Sequence, residues 1–199
     1  MRALMTMGLA AALAVSVTAQ GPAPAVELKV GDTAPDFSLQ ASDGKTYKLS
    51  DFKGKKAVVV AWFPKAFTQG CTIECKSLAE NGEKIRMYDV AYFMASTDNV
   101  EDNTKFAKAT SVTLQGRNGG ASTVVDKKEA DFPLLADPSK ETASKYGVLM
   151  ANGQLANRWT FYIDKTGKIS YIEKTVKPAT SAEDMVAKLA ELKVPMTHK

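Results

Sequence analysis

The sequence predicts one α/β domain, with a central mixed β-sheet flanked by helices and an N-terminal β-hairpin. Three observations carry this. The chain has 199 residues, enough for one ordinary domain and short for two. Residues 57 to 109 alternate strand-like and helix-like patterns twice, the arrangement that builds a parallel sheet. Two stretches that change polarity at every residue are each bounded by turn residues, which adds antiparallel strands at the edges.

Residues 1–19 read as a signal peptide rather than as part of the fold. They begin with Arg2, continue through the apolar run Leu9 to Val15 and end on the small residues Val17-Thr18-Ala19. The apolar run is well short of the roughly 20 residues that span a bilayer, so cleavage after Ala19 is expected and no membrane anchor remains. Residues 20–26, containing Gly21-Pro22-Ala23-Pro24, are expected to be an extended linker, and the folded domain is assigned to 27–199.

Asp36 to Leu39 and Lys45 to Leu49 alternate apolar and polar residues around Asp43-Gly44, which predicts the hairpin. Ala57 to Phe63 is a continuous β-branched and aromatic run, as in a strand covered on both faces, and it stops at Pro64. From Cys71 the period changes: Cys71, Cys75, Leu78, Gly82 and Ile85 form one narrow helical stripe, with Glu74, Lys76, Glu80, Glu83 and Lys84 assigned to the other faces. A strand is expected at Val90 to Ala95, then a helix over Val100 to Ala109 with Asp98 and Glu101 as its capping box. Ser111 to Lys128 holds Gly116, Gly119 and Gly120 and no steady period, and reads as a surface loop or insertion. A short strand at Phe132 to Ala136 and a short helix at Ser139 to Tyr146 follow. Arg158 to Asp164 and Lys168 to Thr175 then pair about Lys165-Thr166-Gly167. The last helix starts at Thr180 with Glu183 completing a capping box, and turns Met185, Leu189 and Leu192 to the sheet.

Composition narrows the function. The chain is 45% hydrophobic and 24% charged, as for a domain that buries a core. Its 26 basic and 22 acidic side chains are scattered singly, with no run able to neutralise a row of phosphates, which argues against nucleic acid as a partner. The one histidine, His198, is next to the last residue, which removes a Ser-His-Asp triad and a two-histidine zinc site from consideration. Neither a metal nor an organic cofactor is expected.

Reactive groups concentrate in one place. Both cysteines sit at the start of the helix that follows the buried strand and the segment Pro64-Lys65-Ala66-Phe67-Thr68-Gln69-Gly70. At a helix N-terminus the unpaired N–H groups and the dipole favour a thiolate, the nucleophilic form of Cys71. Thr68, three residues earlier, offers a hydroxyl to whatever the sulfur attacks; it also suits an N-cap, and Pro64 a strand terminator.

Pro64, Thr68 and Cys71 match the Pro-x-x-x-Thr-x-x-Cys active site of the peroxiredoxins, and here the sequence resembles that family, nearest its bacterioferritin-comigratory subgroup. Arg158 ahead of Thr160-Phe161-Tyr162-Ile163-Asp164 and the segment Phe132-Pro133-Leu134-Leu135-Ala136-Asp137 also look like the family's, so the matches span most of residues 27–193. The resemblance implies a thioredoxin-like fold and a thiol peroxidase acting on hydrogen peroxide or organic hydroperoxides. In that reading Cys71 attacks the peroxide and becomes a sulfenic acid, while Arg158 stabilises the thiolate and the charge developing on oxygen. Thr68 and the N–H groups at Gly70-Cys71 orient the peroxide, and Pro64 shields the sulfur from water. Read without the resemblance, Arg158 is a surface arginine on a strand.

The subgroup's second cysteine lies five residues after the first, whereas Cys75 lies four after Cys71. Four apart on a helix puts Cβ atoms about 5–6 Å apart and on the same face, while a disulfide needs roughly 3.5–4.5 Å, so a Cys71–Cys75 bond requires the first turn to loosen. The other reading makes Cys75 a small buried core residue and has an outside thiol regenerate Cys71. The resemblance further implies a thioredoxin-like dithiol reductant as partner. An exported location follows from the leader, periplasmic in a Gram-negative source, as a monomer or homodimer. Two rivals share Cys-x-x-x-Cys or something near it: an exported copper chaperone, for which two thiolates suit Cu(I) but a well-placed histidine is missing, and a thiol-disulfide oxidoreductase, whose usual motif is Cys-x-x-Cys.

Overall fold

An apolar run with no polar side chain to face solvent needs cover on both sides. In the computed structural model, which describes residues 27–116 and 120–197, strand β3 (Ala57–Trp62) is buried at all six positions inside a seven-stranded sheet. The expected leader 1–19 and linker 20–26, and His198, lie outside the described residues.

The sheet is mixed. Strands β1 (Ser38–Ala41) and β2 (Thr46–Lys48) form the N-terminal hairpin, β4 is Val90–Ser96, β7 is Leu134–Ala136, and β8 (Thr160–Ile163) and β9 (Ile169–Glu173) form the late hairpin. Their order is β2-β1-β7-β4-β3-β8-β9, with β3, β4 and β7 parallel and the remaining pairings antiparallel. The sheet thus has the thioredoxin-like arrangement, a parallel centre with antiparallel strands on both sides.

Alternation along the strands separates two cores. Val59, Ala61 and Phe63 meet helices α1 (Gln69–Ile85), α2 (Val100–Lys108) and α4 (Ser181–Glu191) through Leu78, Ile85, Phe106, Met185 and Leu189. Val58, Val60 and Trp62 meet Phe37, Leu39 and Tyr146 on the other face, where the short helix α3 (Glu141–Lys145) adds Ala143. No helix among the described residues is long and apolar enough to cross a membrane.

Strand edges move for local reasons. The first strand begins at Ser38 rather than Asp36 because the Asp36 carboxylate accepts from Phe37 N and Ser50 N, and Leu49 opens a 3-10 turn instead of extending β2. Pro133, with no N–H to give a ladder, holds β7 back to Leu134.

Three expectations are corrected. Ser111 to Lys128 is not a structureless loop: it contains the antiparallel pair β5 (Ser111–Leu114) and β6 (Thr123–Asp126), with Val112 and Leu114 turned into the core. The alternation there is only four residues long on each strand, and the glycines between the strands obscured it. Asp98 does not cap α2; Asn99 does, its side chain accepting from Asp102 N at 2.8 Å, while Glu101 pairs with Lys105 on the surface. Thr180 and Glu183 form no capping box, because a 3-10 turn (Pro178–Thr180) feeds α4 and the Thr180 hydroxyl donates to Asp184 at 2.8 Å.

Candidate active site

The carboxyl end of β3 points the chain at the site. Beyond Phe63 the half-buried Pro64 ends pairing, and the loop to Thr68 is fixed from below by Asp98, the buried residue freed from capping. Its carboxylate accepts from Ala66 N at 2.8 Å, Lys65 Nζ at 3.0 Å and the Ser96 hydroxyl at 3.1 Å. Phe67 then takes a left-handed conformation, φ 62°, which costs a non-glycine residue on the order of 1–3 kcal/mol. Its ring lies edge-on to Phe106, centroids 5.1 Å apart, which offsets part of that cost.

Thr68 is the N-cap of α1 in position but not in bonding. Its side chain caps no N–H; the exposed hydroxyl donates to Lys65 O at 2.9 Å, which leaves the oxygen's lone pairs as acceptors. The first intrahelical bond of α1 runs from Thr72 N to Thr68 O at 2.8 Å, so the amides of Gln69, Gly70 and Cys71 have no helical acceptor. These are the donors an anion or a polarised oxygen would meet.

Cys71 is the third residue of α1, a free thiol with no exposed surface. Arg158, two residues before β8, reaches across and donates from Nη2 to its Sγ at 3.1 Å. The other guanidinium nitrogen, Nη1, pairs with Glu74 Oε2. Gly70 makes the approach possible, since a Cβ there would stand 2.9 Å from Arg158 Nη2 and push the guanidinium away. Cys75 lies one turn deeper, also free and fully buried, in the core that holds Phe63, Leu78 and Phe106. Burial pushes its thiol up to about 12, with Lys127 opposing and Glu74 and Cys71 adding to the rise.

Of the residues singled out from sequence, Cys71 and Arg158 are in contact, Thr68 begins the same helix, Cys75 follows on the same face, and Pro64 opens the loop that leads to them.

Glu74 is the correction at the site. Assigned to a solvent face, it is fully buried and holds the arginine. The signal was available: Cys71, Glu74, Cys75 and Leu78 are spaced i, i+3, i+4, i+7, one helix face, and a carboxylate on that face needs a cation. Burial pushes the Glu74 carboxyl up to about 7 although Arg158 pulls it down, and Oε1 finds no partner among the described residues. Between its ordinary value of 4.5 and about 7 the folded protein therefore keeps a proton that the unfolded chain has released. Stability is present below that window and declines as pH rises through it, by at most about 1.4 kcal/mol per pH unit. Denaturant titrations from pH 4.5 to 7.5 should show this slope and its removal in Glu74→Gln; equal slopes in both proteins would contradict it.

Comparison with known proteins follows the same lines. Residues 30–172 match the AhpC/TSA family model. The chain is 31% identical over 151 residues to peroxiredoxin Bcp of Escherichia coli K12, covering 73% of this chain and 85% of that protein. It is 30% identical over 145 residues to the chloroplastic 2-Cys peroxiredoxin BAS1 of Hordeum vulgare, covering 71% and 64%. The crystal structure of peroxidoxin BcpB from Mycobacterium tuberculosis superposes with a TM-score of 0.67 at 27% identity, covering 83% of this chain and 98% of that one.

Proposed function

The chain belongs to the AhpC/TSA family of peroxiredoxins and is a thiol-dependent peroxidase, and on that premise we propose that Cys71 is the sulfur that reduces the peroxide. The observation that carries this assignment is the Arg158 guanidinium, which joins Cys71 Sγ to the buried Glu74.

The geometry supplies each step. Arg158 offers a fixed charge to the Cys71 thiolate, and Glu74 holds the guanidinium plane in place from behind. A peroxide entering over the first turn of α1 meets the amides of Gly70 and Cys71 and the acceptor lone pairs of the Thr68 hydroxyl. The thiolate attacks one peroxide oxygen, an S–O bond forms as the O–O bond breaks, and the departing oxygen leaves as water or an alcohol once protonated. Charge developing on that oxygen faces Arg158 and the amides, donors already in place. Pro64 closes one side of the loop and limits water.

Cys75 resolves the sulfenic acid. The first turn of α1 loosens, a Cys71–Cys75 disulfide forms with release of water, and a thioredoxin-like dithiol protein reduces it. The reading that Cys75 is only a core residue draws on its complete burial. Peptide mapping under non-reducing conditions after one equivalent of hydrogen peroxide separates the two: a Cys71–Cys75 crosslink is expected, and a persistent sulfenic acid with a free Cys75 would leave regeneration to an outside thiol.

Residues 1–19 direct export, and the mature chain from about Gln20 works as a monomer or homodimer in an oxidising compartment, the periplasm in a Gram-negative source. Both hydrogen peroxide and organic hydroperoxides are proposed as substrates.

A further inference from the structure

The β5–β6 hairpin takes no part in the chemistry above, yet it delivers one charged side chain to the interior. Lys127 directly follows β6 and is 5% exposed. Its Nζ donates to the carbonyl oxygens of Ala107 and Lys128, each at 3.2 Å, and stands 5.5 Å from the centroid of the Phe106 ring. Among the described residues no carboxylate pairs with it. An ammonium removed from water without an anion is destabilising, and burial draws the Lys127 amine below its ordinary value.

The neighbouring contacts bring this segment against α1, the helix that carries Cys75. Lys76, the residue after Cys75 on α1, donates to Asp126 O, the residue before Lys127, at 2.8 Å, so the two segments run together at this point. Phe106, under the ammonium, belongs to the same buried cluster as Cys75, Cys71 and Phe63. The charges facing Cys75 are Lys127 from the segment after β6 and Glu74 and Cys71 from α1; those facing Lys127 are Cys75 and Glu129. Of these, Lys127 is the one that draws the Cys75 thiol down against burial.

We propose that Lys127 is a positioning residue for disulfide formation: its buried ammonium is the counter-charge of the Cys75 thiolate that attacks the Cys71 sulfenic acid. This rests on Cys75 being the resolving thiol. In the step the Cys75 sulfur gives an electron pair to the Cys71 sulfur, the S–S bond forms, and the S–O bond breaks. The hydroxide that leaves takes up the proton released by the Cys75 thiol and departs as water. Cys75 is oxidised, the sulfenic sulfur is reduced to the disulfide level, and Lys127 keeps all three protons. The hairpin holds the charge against α1 while the turn bearing Cys71 moves.

The test follows disulfide formation after one equivalent of hydrogen peroxide in the full chain, by quench-flow with dimedone trapping of the remaining sulfenic acid, from pH 6 to 9. Lys127→Met is expected to slow this step at least about tenfold relative to the preceding peroxide step and to shift its pH profile upward by about one unit. Lys127→Arg, which restores the charge, should lie within about threefold of wild type. A packing role alone would not move the pH profile. A Lys127→Met protein that forms the Cys71–Cys75 bond at the wild-type rate and pH midpoint overturns the proposal. A wild-type protein that forms no such bond overturns the resolving role of Cys75 instead. If Lys127→Met does not fold, Lys127→Arg decides: a wild-type pH profile supports the counter-charge, and a profile shifted upward by a unit with the charge retained refutes it.

Discussion

Cys71→Ser should abolish peroxide consumption, with a loss of roughly 10⁴-fold or more in kcat/KM, the scale seen when a sole nucleophile is removed. The only other thiol, Cys75, lies one turn deeper in the core, away from Arg158's contact with Cys71, and burial pushes it up to about 12, so at neutral pH it is almost wholly protonated. The serine hydroxyl fits the same space and still accepts from Arg158, so the melting temperature should change by only a few degrees while the activity disappears. Stopped-flow decay of hydrogen peroxide with the reduced proteins measures the difference directly. Retention of the wild-type rate would refute the assignment of the nucleophile.

Arg158→Met should damage both activity and stability, and the two losses separate on pH. The guanidinium donates to the Cys71 sulfur and pairs with Glu74, so its removal takes a preorganised donor from the reacting atoms, worth about 10²–10³ in kcat/KM. It also leaves the fully buried Glu74 without a cation, at a cost of roughly 3–5 kcal/mol when the carboxyl is ionised. With the arginine gone the carboxyl is held still higher above its ordinary value, since only burial acts on it. The folded variant then binds a proton more tightly than the unfolded chain does. Its stability deficit is therefore small near pH 5 and grows toward pH 8. Adding Glu74→Gln to Arg158→Met should recover much of the stability at pH 8 and none of the activity. A double variant that regains peroxidase activity would mean that the arginine acts only by neutralising the glutamate.

Much of this architecture was legible in the residues because local signals and tertiary demands agree. The Ala57–Trp62 run, the Asp43-Gly44 turn and the stripe through Cys71, Leu78 and Ile85 each have one comfortable solution, and the fold uses it. The spacing of Pro64, Thr68 and Cys71 sits in one continuous segment and was readable for the same reason. Arg158 lies 87 residues from Cys71, and only its resemblance to a family arginine marked it in advance.

What escaped is equally physical. Asp98, one residue from a helix start, has the chemistry of a cap, but its carboxylate reaches the loop after β3, 32 residues away, and Asn99 caps instead. Glu74 was sorted by its charge rather than by its position, although its position lies on the buried face. Strands as short as β5 and β6 carry too few alternations to stand out beside glycines, and with them went the buried Lys127. In each case a polar side chain has a local or solvent-facing role open to it in the sequence, and a partner distant in sequence takes it instead.

The most direct test mixes the reduced, metal-free protein with one equivalent of hydrogen peroxide in a stopped-flow instrument, follows peroxide loss and free thiols together, and titrates a parallel sample with Cu(I). Rapid loss of one peroxide per chain with both thiols consumed is the predicted result. Peroxide loss only at the slow rate of an ordinary thiol, together with tight binding of one Cu(I) per chain, would contradict the account at its chemistry.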